Sequence, residues 1–470
     1  MVVAFSPLAF GQNRPPLETA DALVQKIFQR TASMGMVVTI VRDGEVWTNG
    51  YGRMAPGSDQ VPQPNSLVRL CSVTKILATD LLAKLVVEKK VSFDDPLQKF
   101  APAGVQLTNL TIHGPARRPI NLGDLATHTA GLPREIAYPP PGAAHFTFPD
   151  YAFRWQWLPG FRLRTSPGDA AHYSNISFDL LADALGTAAA EPYAQLFQQR
   201  TSQPLSMVDT TLNPSAEQCT RLMSGPREPS MCTNTEAAAG SGGMYSTAQD
   251  MARFLKYLLY LPGVPVHQNG WSTGMYLDPA DLRSVQGLGH AGVPNGIGIG
   301  WIEINKQYGE SRIVEKTGGG AGFQTYIALN PARHAGIFIA RTDGRNRGGA
   351  NLFREANNVL LAMVDLPPVP ADLDDPERER TGEEIQAARM PRGQSARGAA
   401  GLAARAVPRP GGHQRRPAAA PIAPRRPGRL QKAEPRVSTK RRPVVRSSGK
   451  RAGTHHSAKT LVMPQKHKRR

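Results

Sequence analysis

Three short motifs occur in order along the chain: Ser72-Val-Thr-Lys75, Tyr173-Ser-Asn175 and Lys316-Thr-Gly318. Together they hold the parts of a serine acyl-transfer site. A serine hydroxyl is a weak nucleophile until a neighbour takes its proton. Lys75 lies one helical turn beyond Ser72, so the two side chains share a helix face. Lys75 becomes a proton acceptor if burial and a second cation depress its pKa. The backbone N–H of Ser72 would lie among the unpaired donors of the first turn, where a developing oxyanion is stabilised.

Tyr173 and Asn175 alternate on an extended segment and therefore point the same way. The phenol can act as a base or proton shuttle, and the amide can orient a substrate amide. Lys316-Thr-Gly-Gly-Gly-Ala-Gly-Phe323 begins at the end of a predicted strand. A glycine-rich edge lets another chain approach the backbone closely. The ammonium of Lys316 and the hydroxyl of Thr317 would hold a substrate carboxylate, and the N–H of Gly319 would be the second oxyanion donor. Each motif alone also reads as ordinary structure: a capped helix, a turn, a glycine hairpin. Ser-x-x-Lys recurs at Ser447-Ser-Gly-Lys450 without company. The combination carries the chemistry.

The elements that must position these residues follow from periodicity. Leu17 to Thr31 reads as an amphipathic helix with Leu23, Val24, Ile27 and Phe28 on one face. Strands are predicted at 36–41 and 45–51, joined by a hairpin turn at Asp43-Gly44. A helix follows from Ser72 to Lys89. From Val91 to about His290 the pattern is helical with long loops, including helices at 176–185, 192–199 and 248–261, the last with a capping box from Ser246 to Gln249. Strands return at 298–304, 312–316, 324–330 and 336–341, and a helix at 351–364 closes the body. The predicted fold class is α+β, an α/β sandwich: an antiparallel sheet flanked by N- and C-terminal helices, with an inserted helical lobe.

Charge divides the chain sharply. From Arg389 to Arg470 there are 23 Lys and Arg against one acid, Glu434. The first 388 residues hold 33 basic and 36 acidic residues, so the net charge of +19 describes a tail rather than a domain. The stretch 369–470 reads as a disordered Arg/Pro/Ala-rich extension, because it cannot bury enough apolar surface to offset its ordering entropy. It is either an adhesive basic extension for anionic envelope surfaces or the product of a GC-rich gene read out of frame; nucleic acid is not expected as a partner. Residues 1–13 resemble the back half of a secretory signal, and 14–368 reads as the catalytic domain. No Cys or His spacing suggests a metal site. In an oxidising compartment Cys219 and Cys232, with 12 residues between them, would close a loop, leaving Cys71 as a small buried residue.

Beyond its motifs, the chain resembles the serine β-lactamase and penicillin-binding-protein superfamily. Tyr173 stands where the class C members have their tyrosine. The stretches LATHTAGLPRE (Leu125 to Glu135), SGGMYSTAQDMARFL (Ser241 to Leu255) and EKTGGGAGFQTYIALNP (Glu315 to Pro331) resemble AmpH-type D,D-carboxypeptidase/endopeptidases. The resemblance covers roughly residues 17–364. It implies a β-lactamase/transpeptidase-like fold, peptidoglycan peptides and β-lactams as partners, a periplasmic location with membrane association left open, and no cofactor or metal. It also implies roles: Ser72 as nucleophile, Lys75 and Tyr173 in proton transfer, Asn175 and Lys316 in substrate orientation, Thr317 assisting. A class C-like β-lactamase and an esterase of the same fold remain alternatives, as does a non-catalytic penicillin sensor or envelope tether; the oligomeric state is open. His128 has no identifiable Asp partner and reads as a loop brace. The aromatic run from Tyr138 to Phe161 reads as a loop packed on the helical lobe or as an aromatic wall for a glycopeptide.

Overall fold

The computed structural model describes residues 14–107, 118–136, 147–226, 229–260, 271–342 and 351–369. All of them belong to the first of two units, Met1–Ala404. The leader expected at 1–13, all of the expected tail beyond residue 369, and Tyr138 and Phe146 of the aromatic run lie outside the described residues.

Eight antiparallel strands form the central sheet: β1 (Gly35–Arg42), β2 (Glu45–Gly52), β3 (Met275–Leu277), β4 (Gly296–Gly298), β5 (Ile302–Ile304), β6 (Ile313–Gly320), β7 (Phe323–Asn330) and β8 (Ala335–Thr342). Their spatial order is β2-β1-β8-β7-β6-β5-β4-β3. β1 and β2 are joined by Asp43 and Gly44, both in the left-handed region (φ 49° and 93°), the geometry a two-residue hairpin requires.

The sheet is covered on both faces. Met36, Val38 and Ile40 of β1 pack with α1 (Ala20–Arg30) and the C-terminal helix α6 (Leu352–Ala362), while Val37 and Val41 join the core of the helical lobe. That lobe contains α2 (Thr74–Val87), α3 (Tyr151–Trp157), α4 (Asn175–Ala189) and α5 (Ala248–Leu258). α2 is apolar almost all round and correspondingly buried, which places Ser72 and Lys75 between the sheet and the lobe.

Four local expectations are corrected. The single strand predicted at 298–304 is two strands, β4 and β5, because the chain reverses at Gly300 (φ 77°). A Cβ at Gly300 would lie 3.1 Å from Thr79 Oγ1, so the apolar run GIGIGW hides a turn that only glycine fits. Ser72 is not the first residue of its α-helix: it lies in a 3₁₀ turn, Cys71–Val73, that leads into α2. Cys71 there has φ 50°, a left-handed conformation uncommon outside glycine. The α5 cap is Thr247, whose hydroxyl accepts the Asp250 N–H, while Ser246 bonds to Thr210 (2.8 Å). The described part of the aromatic run includes a helix, α3, rather than continuous loop. Trp155 enters the core and donates its indole N–H to Asp183 (3.1 Å), which explains its burial without a ligand.

Candidate active site

Three segments deliver the predicted residues to one place. The 3₁₀ turn before α2 supplies Ser72, and α2 supplies Lys75. Tyr173 and Asn175 straddle the start of α4, where Ser174 is the N-cap and accepts the Ser177 N–H (3.1 Å). The extended backbone just before that cap pairs in parallel with 285–286, and the Tyr173 N–H donates to Gln286 O (3.0 Å). β6 supplies Lys316, Thr317 and Gly319. Gly318 lets β6 press against the nucleophile turn: a Cβ there would sit 2.8 Å from Leu70 O and 3.1 Å from Ser72 N. Thr325 of β7 completes this seam by donating to Leu70 O (2.8 Å).

Ser72 Oγ and the Tyr173 hydroxyl are 2.5 Å apart. Lys75 Nζ donates to Ser72 Oγ (3.3 Å), Asn175 Oδ1 (2.5 Å) and the carbonyl of Ser241 (2.6 Å). The Tyr173 ring is bordered by three cations: Lys75 Nζ at 4.9 Å, Lys316 Nζ at 5.3 Å and the Arg134 guanidinium at 4.7 Å from its centroid. Burial lowers the Lys75 ammonium to about 7, against the opposing pull of Asp179 and Glu135. Lys316 is also lowered, by burial first. Unlike Lys75, its ammonium has no hydrogen-bond partner among the described residues. Behind it on β6, burial raises the Glu315 carboxyl to about 8, so that group is held neutral.

His128 braces the site. Its Nδ1 accepts the Ser174 N–H (3.0 Å), and its ring stacks on Tyr173 at 4.7 Å between centroids. Burial and the neighbouring cations push its pKa well below the ordinary value, so the imidazole is neutral with its proton on Nε2. That nitrogen has no hydrogen-bond partner among the described residues, which leaves the ring outside any carboxylate–imidazole–serine triad. Cys71 is buried, its thiol 3.3 Å from Gly320 O. Cys219 and Cys232 are joined, with 5.7 Å between Cα atoms. No group of three or more His, Cys, Asp or Glu among the described residues could hold a metal ion.

Sequence reasoning did not reach Arg134, Glu135, Asp179 or the Ser241 carbonyl. The first two and Ser241 fall in the stretches that carry the family resemblance, so a signal was present. Asp179 had none: it is a helix residue whose hydrogen bonds reach the site through Ser241.

Known proteins resemble this chain in sequence and fold. A β-lactamase family model matches residues 20–360. The chain is 39% identical over 358 residues to the D-alanyl-D-alanine-carboxypeptidase/endopeptidase AmpH of Escherichia coli K12, covering 75% of this chain and 90% of the relative. A crystal structure of a β-lactamase/D-alanine carboxypeptidase from Yersinia pestis superposes with a TM-score of 0.68 at 35% identity, covering 75% of this chain and 99% of that one. A class C β-lactamase from Rhodobacter sphaeroides shares the fold with a TM-score of 0.57 at 22% identity, over 74% and 99% of the two chains. With a family match across most of its length and a relative at this identity, the chain belongs to the β-lactamase family.

Proposed function

We propose that this protein is a serine hydrolase that cleaves D-alanyl-D-alanine termini and D-Ala cross-links of peptidoglycan peptides, and that penicillins acylate the same serine. The observation that carries the reading is the Ser72 hydroxyl held between the Tyr173 phenol (2.5 Å) and the Lys75 amine (3.3 Å), with the Lys316 ammonium, which meets no hydrogen-bond acceptor among the described residues, 5.3 Å from the centre of the Tyr173 ring.

Ser72 Oγ attacks the carbonyl between two D-alanines and passes its proton to the Tyr173–Lys75 pair. The backbone N–H groups of Ser72 and Gly319 stabilise the oxyanion. The peptide C–N bond breaks, the leaving D-alanine amine takes up the proton, and Ser72 holds an ester. Water then hydrolyses that ester, the same groups working in reverse. Lys316 and Thr317 receive the terminal carboxylate, and Asn175 the substrate amide.

The Cys219–Cys232 bridge supports an oxidising location such as the periplasm. Among the described residues no helix is long and apolar enough to cross a membrane. The basic stretch from Arg389 fits an anionic envelope surface, with an attraction that weakens as salt is added.

The deciding experiment compares turnover of purified muropeptides, a cephalosporin and a p-nitrophenyl ester by the wild type and Ser72→Ala. Release of D-alanine fastest from muropeptides, and absent from the variant, is the expected result. Fast cephalosporin turnover with inert muropeptides would identify a β-lactamase, and ester turnover alone an esterase.

A further inference from the structure

Two of the three acceptors that fix the Lys75 ammonium are themselves held by carboxylates. The Ser241 carbonyl receives Lys75 at 2.6 Å, and the N–H and hydroxyl of Ser241 both donate to Asp179, at 2.9 Å each. Asp179 is buried and makes no ion pair among the described residues; burial raises its carboxyl to about 6, against the pull of Arg154, which is itself paired with Asp183 at 2.6 Å. On the open side, Asn175 Oδ1 receives Lys75 at 2.5 Å while its Nδ2–H donates to the exposed carboxylate of Glu135. The loop bearing Glu135 is tied to the same segment by its backbone: Asn175 N–H donates to Arg134 O (2.9 Å) and the Ser174 hydroxyl to Pro133 O (2.7 Å).

We propose that Asp179 and Glu135 are positioning residues for the acylation step, holding the two fixed acceptors of Lys75 through Ser241 and Asn175 respectively. The inference rests on the reading of Ser72 and Lys75 as the acylating pair.

The physical argument has two parts. An amide can flip, and only one orientation of Asn175 suits both neighbours: oxygen to the ammonium, N–H to the carboxylate. Without Glu135 nothing opposes the flip on that side. Second, both carboxylates favour the charged form of Lys75, which burial disfavours. The other titratable groups around the amine are the guanidinium of Arg134, the thiol of Cys71, the phenol of Tyr173, the neutral imidazole of His128 and the ammonium of Lys316. Asp179 and Glu135 therefore keep the amine from losing its proton at still lower pH, one from inside the protein and one from its surface.

The test is the second-order rate of covalent labelling by a fluorescent penicillin, measured against pH for the full-length wild type, Asp179→Asn, Glu135→Gln and Glu135→Ala. Both isosteric variants keep a hydrogen-bond acceptor; Glu135→Gln removes a charge, and Asp179→Asn removes one where the pH is above about 6, the value to which burial raises the Asp179 carboxyl. Their acid limb should move to lower pH, because each removes a charge that favours protonated Lys75. High salt should erase the Glu135 shift and leave the Asp179 shift, because only the exposed charge is screened. Glu135→Ala should in addition lose several-fold in the plateau rate, and Glu135→Gln should restore the plateau without restoring the limb. Limbs that coincide with wild type in both isosteric variants, or that move upward, overturn the inference. If Asp179→Asn does not fold by circular dichroism, the Glu135 pair decides alone. A wild type that is never labelled overturns the acylation reading and this inference together; a labelled wild type with unmoved variants overturns only the inference.

Discussion

The two sides of the cleft treat their lysines in opposite ways. On the α2 side, the Lys75 ammonium is saturated by a hydroxyl, an amide oxygen and a backbone carbonyl, all within 3.3 Å. On the β6 side, Lys316 is just as buried by residue exposure (0% and 3%), yet its ammonium meets no hydrogen-bond acceptor among the described residues. Both amines are pushed down by burial. A saturated amine is a fixed part of the protein's own proton path. An ammonium with no acceptor among the described residues keeps donors that an incoming anion can take. On the proposed reading, the difference assigns proton transfer to the helix side and carboxylate binding to the strand side of the same cleft, with both amines near the Tyr173 ring.

The largest test of that division is on the saturated side. Ser72→Ala should abolish labelling by a fluorescent penicillin with the fold intact, and Lys75→Ala should slow it by ~10²–10⁴-fold, the usual contribution of a positioned base. Labelling that persists in Ser72→Ala would place the nucleophile elsewhere. Tyr173→Phe should keep thermal stability, since the ring still stacks on His128, and lose most turnover. A Phe variant at near wild-type rate would reduce the tyrosine to packing.

The pH dependence follows from the same side. Lys75 accepts a proton only as the free amine, and its pKa is lowered to about 7. Acylation should therefore rise roughly tenfold per pH unit below that value and level off above it. A flat profile between pH 5 and 8, in an enzyme shown to be folded throughout, would remove Lys75 from proton transfer.

The unsaturated side predicts a smaller, more selective effect. Peptides ending in a free carboxylate should be favoured over their amides, and Lys316→Ala should erase the preference. A charge-assisted hydrogen bond is worth roughly 1.5–3 kcal/mol, so the loss should be tenfold or more. Equal wild-type rates on acid and amide would break the comparison at its second half.

The motifs made the cleft legible because each is local: a helical turn, a cap, a strand end. The sheet was legible too, since the apolar run of β1, buried along its whole length, and the Asp43-Gly44 turn are strand and turn signals. Reversal at Gly300 was not, because an apolar run looks the same whether or not it folds back on itself. The Thr247 cap was missed for a related reason: Ser246 has the right chemistry, but Thr210, far away in sequence, claims its hydroxyl. Asp179 and Glu135 lie outside what motif spacing can see, as each acts through an intermediary from another segment. What sequence marks is the group that touches the reaction; what holds that group is settled by packing.

The smallest expected effect on acylation lies at the disulfide. Cys219 and Cys232 close a loop that reaches the turn after β6 through the Ser230 hydroxyl, which donates to Ala321 O at 2.7 Å. Closing a loop of this length stabilises a fold by roughly 3 kcal/mol, through the entropy it removes from the unfolded chain. Cys219→Ser with Cys232→Ser should therefore lower the melting temperature while leaving the penicillin-labelling rate within a few-fold of wild type. Thiol titration of denatured, unreduced protein made in an oxidising compartment should count one thiol, Cys71. Three thiols would show that the bridge does not form there. A labelling rate that collapses in the double variant, at a temperature where it is still folded, would mean that the loop holds β6 in place. The two sides of the cleft would then depend equally on structure around them, and the unsaturated side would no longer be the simpler of the two.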